Sequence, residues 1–157
     1  MGSMNVFSIK SPTASPLPLV FDSPHSGTDY PADFDFSCDF EVLRGAEDRF
    51  VDDIYADIPK MGASLLLAHF PRSYIDVNRA ATDIDTELLD RVWNGDFPIY
   101  PTSRSHAGIG LIRRLVKPGI PVYARPLSSQ EIIARIENYY RVYHNALADL
   151  IEEAHYN

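Results

Sequence analysis

The stretch "VFDSPHSGTDYP", Val20 to Pro31, decides how the chain is read. Leu19-Val20-Phe21 has the apolar character of a short buried strand, and the Ser23-Pro24 pair ends it, because the residue before a proline is pushed away from regular continuation. His25 therefore stands just past a strand end, the place where α/β sheets commonly hold catalytic or metal-binding groups. Gly27 would let another backbone approach closely. A histidine in a Ser-Gly turn is equally an ordinary surface residue, and on this motif alone that reading has the advantage.

Outward from this point the chain alternates between element types. From Ala46 to about Met61, apolar residues at Phe50, Val51, Ile54, Tyr55 and Ile58 have helical spacing, and Gly62 is placed to end a helix. "ASLLLAHF" follows as a continuous apolar run and "SYIDVNR" alternates, which predicts a second and a third strand. Strand, helix and strand in this order predict an α/β layer fold. Asn5 to Pro18, with Pro12, Pro16 and Pro18 among serines, reads as an irregular lead-in, and residues 1–4, MGSM, as a tag remnant outside a single domain of residues 5–157. Ala80 to Pro121 has no sustained period and is long for a connection, which suits a segment that shapes a site. Ser128 and Glu131 form a capping box ahead of apolar positions 132, 136, 139, 143, 147, 150, 151 and 154, so a long helix runs from there to the end.

Composition narrows the function. The 157 residues carry 14 Lys and Arg against 22 Asp and Glu, a net charge of −8, which argues against nucleic acid or an anionic membrane as partner. No apolar run reaches the roughly 18 residues of a membrane span, no signal segment opens the chain, and the expected setting is soluble and cytoplasmic. The single cysteine, Cys38, has no internal partner for a disulfide.

Four groups of residues could carry chemistry. His25 with Asp48 or Glu47 would supply two ligands of the imidazole and carboxylate kind that a divalent metal takes from separate segments. Glu47 and Asp48 also open the predicted helix, where stabilisation by the helix dipole explains them without any metal. Asn78 and Arg79 at the end of "SYIDVNR" present an amide beside a planar donor fork, suited to a substrate carboxylate, and Arg72 could join them or pair with acids such as Asp76 or Asp83. "GIGLIRRL" adds Arg113 and Arg114 but has neither glycine pattern of a nucleotide site. Ser23 and Ser26 lack a nucleophile-elbow context, and His144, among Tyr139, Tyr140 and Tyr143, has the setting of a core or interface histidine.

Taken together and in order, "SPHSG", "GAEDRFVDDIY", "GASLLLAHFPRSYIDVNR", "GIGLIRRL" and "YYRVYHNAL" resemble the N-formylglutamate amidohydrolase family, from about Leu19 to the end. The resemblance implies an α/β fold with an open mixed sheet flanked by helices, phosphorylase/hydrolase-like in the manner of zinc carboxypeptidases. It implies a divalent metal, zinc first, and hydrolysis of an N-acyl acidic amino acid. In the family's reaction N-formylglutamate gives glutamate and formate, late in a histidine-degradation route. Residue by residue, His25 matches the first metal ligand and Asp48 the second, with Glu47 in reserve. Asn78 and Arg79 match a carboxylate clamp, while Arg72 and Arg113 match secondary substrate contacts. A Cys-His-Ser-type motif, expected after a helix like the last one here, does not occur before Asn157. The third metal ligand and the general base are therefore expected outside this chain, which would be the N-terminal part of the fold.

Two rivals follow. One is a non-catalytic module that binds acidic amino-acid derivatives. The other keeps the chemistry but takes a different N-acyl amino acid or a small peptide, chosen by loops such as Thr82 to His106. An apolar-faced terminal helix also predicts self-association.

Overall fold

The structure, a computed structural model, describes residues 5–156, so the expected tag remnant at 1–4 lies outside the described residues. A three-stranded mixed sheet has β3 (Ser64–Ala68) at its centre, parallel to β2 (Val20–Ser23) and antiparallel to β1 (Phe7–Lys10). Val20 lies opposite Ser64 and Ser23 opposite Leu67. Leu65, Leu66 and Leu67 are all buried, which is why β3 reads as an unbroken apolar run rather than an alternating one. β1 corrects the expected irregular lead-in. Its four residues, FSIK, form a half-exposed edge strand, and the prolines begin only beyond it.

The helix expected over 46–61 is broken into two short pieces. Residues Phe40–Arg44 form α1 ahead of it, Val51–Ile54 form the single turn α2, and Ile58–Met61 close as a tight 3₁₀ turn. The break falls at Phe50, whose φ of 66° lies in the left-handed region and cannot continue a right-handed helix. Gly62 ends the last turn as expected, with φ 92° and its N–H on the carbonyls of Ile58 and Pro59.

The strand expected at "SYIDVNR" is also absent. Tyr74, Ile75, Asp76 and Val77 are all buried in succession, which a strand with one solvent face does not allow, and the segment runs as linked turns. The 80–121 region is irregular as expected but well anchored. It holds a 3₁₀ turn at Thr86–Leu88, the short helix α3 (Ser103–His106), and a hairpin of β4 (Leu115–Lys117) with β5 (Ile120–Pro121). Buried Asp83 accepts hydrogen bonds from Thr102 N, Thr102 Oγ1 and Ser105 Oγ, which ties that region together.

The last helix follows its sequence pattern. Ser128 and Glu131 cap α4 (Ser129–Arg135), a wide π turn occupies Ile136–Tyr140, and α5 covers Arg141–His155. Ile132, Ile136, Tyr139, Tyr143 and Leu150 bury its apolar stripe in the same core as Leu66 and Phe70 of the β3 region. Tyr143 Oη donates to Asp22 Oδ2 of β2 at 2.8 Å, fixing helix to sheet. Among the described residues no helix is long and apolar enough to cross a membrane.

Candidate active site

The end of β2 delivers His25 into a buried position. The turn that follows is held by a close approach: a Cβ on Gly27 would collide with the backbone of His69 and Phe70, and Asp29 N–H donates to His69 O. Asp48 N–H donates to His25 O at 3.0 Å, so the turn ahead of α2 is tied to the histidine through main chain as well as side chain.

Both ring nitrogens of His25 meet carboxylates. Nδ1 lies 3.1 Å from Asp48 Oδ2, and Nε2 lies 2.7 Å from Asp76 Oδ1. Arg72 spans the same two acids. Its Nη1 donates to both oxygens of Asp48, at 3.2 and 3.3 Å, and its Nη2 donates to Asp76 Oδ2 at 3.1 Å. Asp76 is 1% exposed, and burial alone would raise its pKa. The hydrogen bond and charge of His25, the charge of Arg72 and the Asn78 N–H outweigh that burial and hold it down at about 2.

Two further arginines stand beside this centre. Arg79 Nε lies 3.9 Å from Asp76 Oδ2, an ion pair without hydrogen-bond geometry. Burial, and then the neighbouring charges of Arg72 and Arg79, pull the Arg113 pKa below the usual arginine value. The Nε atoms of Arg72, Arg79 and Arg113 are all buried without a hydrogen-bond partner among the described residues. Three guanidinium groups against two carboxylates leave a positive excess with unused donors, which is the electrostatics of an anion site.

Among the sequence-derived candidates, the structure brings His25, Asp48, Arg72 and Arg79 into one cluster, with Arg113 near enough to feel its charges. Asn78 is exposed and supplies its backbone N–H to Asp76. Glu47 turns elsewhere, accepting from Tyr30 Oη at 2.7 Å and pairing with Arg44 and Arg49 at 3.3 Å each. Of the adjacent acids, Asp48 is the one that reaches His25. Ser23 and Ser26 bond to each other at 2.7 Å.

Asp76 is the residue whose role the sequence conceals. There it counts only as one of several acids near Arg72. The available signal was its place between Ile75 and Val77 in an apolar run, where an unpaired carboxylate would be costly. Among the described residues no three His, Cys, Asp or Glu side chains are grouped to hold a metal ion, because the two carboxylates face opposite edges of the His25 ring.

A family model described as N-formylglutamate amidohydrolase matches residues 17–157, a span that includes every member of this cluster. The chain belongs to the N-formylglutamate amidohydrolase family. A crystal structure of N-formylglutamate amidohydrolase from Ralstonia eutropha JMP134 is similar to it at 44% identity with a TM-score of 0.91, covering 96% of this chain and 53% of that one. The chain thus spans about half the length of that amidohydrolase. No curated protein matches it.

Proposed function

We propose that this chain carries the substrate-binding residues and part of the metal-binding set of an N-formylglutamate amidohydrolase. The reaction is hydrolysis of the amide bond of an N-acyl acidic amino acid, N-formylglutamate first: water adds its oxygen to the acyl carbon, the C–N bond breaks, and the amine leaves with a proton. The observation that carries the reading is the buried centre in which His25 sits between Asp48 and Asp76 with Arg72 across both acids. Family membership supports the same chemistry.

The donors present suit a divalent ion, zinc first, as two of its ligands. His25 Nδ1 and Asp48 Oδ2 are 3.1 Å apart, close to the ~3.3 Å expected between neighbouring ligands of a tetrahedral ion with bonds near 2.0 Å. When bound, such an ion supplies Lewis acidity to the acyl carbonyl and lowers the pKa of water. Asp76 would keep His25 in place by accepting its Nε2–H, the usual arrangement behind a metal-binding histidine. Arg79, Arg72 and Arg113, each partly exposed beside this centre, would receive the substrate's carboxylates as a cluster of positive charge. A third ligand and the general base are assigned to polypeptide outside these residues, consistent with the greater length of the relative.

The absence of a three-donor group among the described residues favours a second reading, a module that binds acidic amino-acid derivatives without turning them over. Metal analysis, a formate-release assay and calorimetric titration with N-formylglutamate, made on this chain joined to the remaining half of a full-length amidohydrolase of the family, separate the two. Metal bound in the wild type and lost in His25→Ala, with formate released, supports the hydrolase. N-formylglutamate binding without metal or turnover supports the module. A folded chain that neither holds metal nor binds N-formylglutamate would sink both.

A further inference from the structure

Residues 71–79 carry Arg72, Asp76, Asn78 and Arg79 on a backbone that is neither strand nor helix. Buried irregular backbone must find partners for its polar groups outside any ladder. The N–H groups find theirs on the loop side: Tyr74 on Pro71 O, Asp76 on Leu111 O, and Arg79 on Asp76 O. Three carbonyls are met by side chains of one helix. Arg135 Nη1 donates to Tyr74 O at 3.0 Å, His144 Nε2 to Val77 O at 2.8 Å, and Tyr140 Oη to Arg79 O at 2.8 Å. Val77 O can only accept, so His144 carries its proton on Nε2 in this contact.

The helix does not reach all three by regular winding. At about 100° per residue, positions five apart on an α-helix point about 140° away from each other. The wide turn Ile136–Tyr140 lies between Arg135 and Tyr140, and its i→i+5 closure turns the two back toward one side. Tyr140 and His144 then pack ring against ring at a 38° tilt, with centroids 4.3 Å apart, so each steadies the other.

We infer that the wide turn with Tyr140 and His144 is a positioning device for the site: it grips the backbone at residues 77 and 79 and thereby sets Asp76 against His25 and Arg79 beside Asp76. Arg135 anchors the front of the same loop, its guanidinium lying 4.1 Å from the Tyr74 ring centroid. None of the three is assigned contact with substrate. The inference rests on the proposed substrate site only for its effect on binding. Its effect on the loop is independent of that reading.

The test uses the full 157-residue chain, labelled with ¹⁵N, and the variants Tyr140→Phe, His144→Leu and His144→Gln. Amide exchange is read at Asp76, Asn78 and Arg79 against Leu66 in β3, together with the His25 ring N–H signal and calorimetric titration with N-formylglutamate. In Tyr140→Phe and His144→Leu, exchange at the three loop amides is expected to rise about tenfold with Leu66 unchanged and the His25 signal shifted. His144→Gln, which keeps a donor for Val77 O, should restore both. Loop exchange and His25 signal unchanged in both Tyr140→Phe and His144→Leu would overturn the inference, as would equal acceleration at Leu66, the mark of a general loss of stability. If the variants loosen the loop while the wild type does not bind N-formylglutamate, the positioning stands and the substrate reading falls. If the wild type binds, its affinity should drop about tenfold in His144→Leu and recover in His144→Gln.

Discussion

Asp76 has more partners than any other acid of the site: His25, Arg72 and the Asn78 N–H all reach it, and Arg79 stands close by. Removing its charge leaves His25 and Arg72 with only the exposed Asp48 as counter-ion. Asp76→Asn should therefore cost about 3 kcal/mol at neutral pH by chemical denaturation. The pH dependence follows from the depressed pKa. The native carboxyl titrates at about 2 and the unfolded one at 3.8, so the unfolded chain binds more protons between those values and the stabilisation fades as pH falls through them. Denaturation curves at a series of pH values should show the gap between wild type and Asp76→Asn constant above pH ~4 and narrowing toward pH ~2. A gap that closes near neutral pH instead would show that the pair with Asp76 is not what is lost. Gly27→Ala tests a different constraint. No flexible side chain can yield there, since backbone atoms of His69 and Phe70 occupy the space, and the substitution should cost about 3 kcal/mol and weaken any zinc binding at His25. Much of this was legible at the residue scale. His25 follows a recognisable strand end, and Gly27 was read as a point of close approach. Asp76 was not legible as the histidine's partner, because the contact joins residues 51 apart and no local pattern encodes it.

Elements were readable where one local rule acted alone. The Ser128–Glu131 box and the apolar stripe after it specify the long helix without help from the rest of the chain, and Leu65–Leu67 specify a buried central strand. Elements were misread where tertiary packing overrode the pattern. Apolar spacing from Phe50 to Ile58 matches a helix, yet the tie from Asp48 N–H to His25 O takes the backbone out of helical continuation just before Phe50. Phe50 is 67% exposed, so its ring does little to offset the left-handed backbone. Relief of a penalty of roughly 1–2 kcal/mol for a side chain at positive φ, less the added freedom of the unfolded chain, predicts that Phe50→Gly stabilises the protein by up to about 1 kcal/mol. Thermal unfolding measures it, and a lower melting temperature in Phe50→Gly would show that the ring, not the backbone, governs this position. The wide turn at 136–140 has no sequence mark either. Its stripe of apolar residues reads as a plain helix on either side.

For the molecule as a whole, one core joins the sheet, the irregular 71–112 region and the long helix, so the site residues rest on a shared foundation although they come from four separate segments. Some apolar surface remains outside it. Pro18, Val20, Ala148, Ile151 and Tyr156 line an open groove of about 640 Å³ between the β2 region and the end of α5, and Ile151 and Tyr156 are 55% and 81% exposed. Exposed apolar surface of this kind favours association, so light scattering should show mass rising with concentration, and Ile151→Asp should suppress it. A constant monomer mass at high concentration would count against this.

The grip of the long helix on residues 74, 77 and 79 has one more consequence. It falls on carbonyl oxygens, which nineteen other amino acids would present equally well at those positions. The grip itself is thus insulated from side-chain identity, while Tyr74 and Val77 stay fixed by their burial in the core. Asn78, which is exposed and enters the cluster only through its N–H, can be exchanged while the scaffold stays put, whereas Arg72 is tied to Asp48 and Asp76, which makes residue 78 the natural point for redirecting the site toward acyl amino acids of other charge.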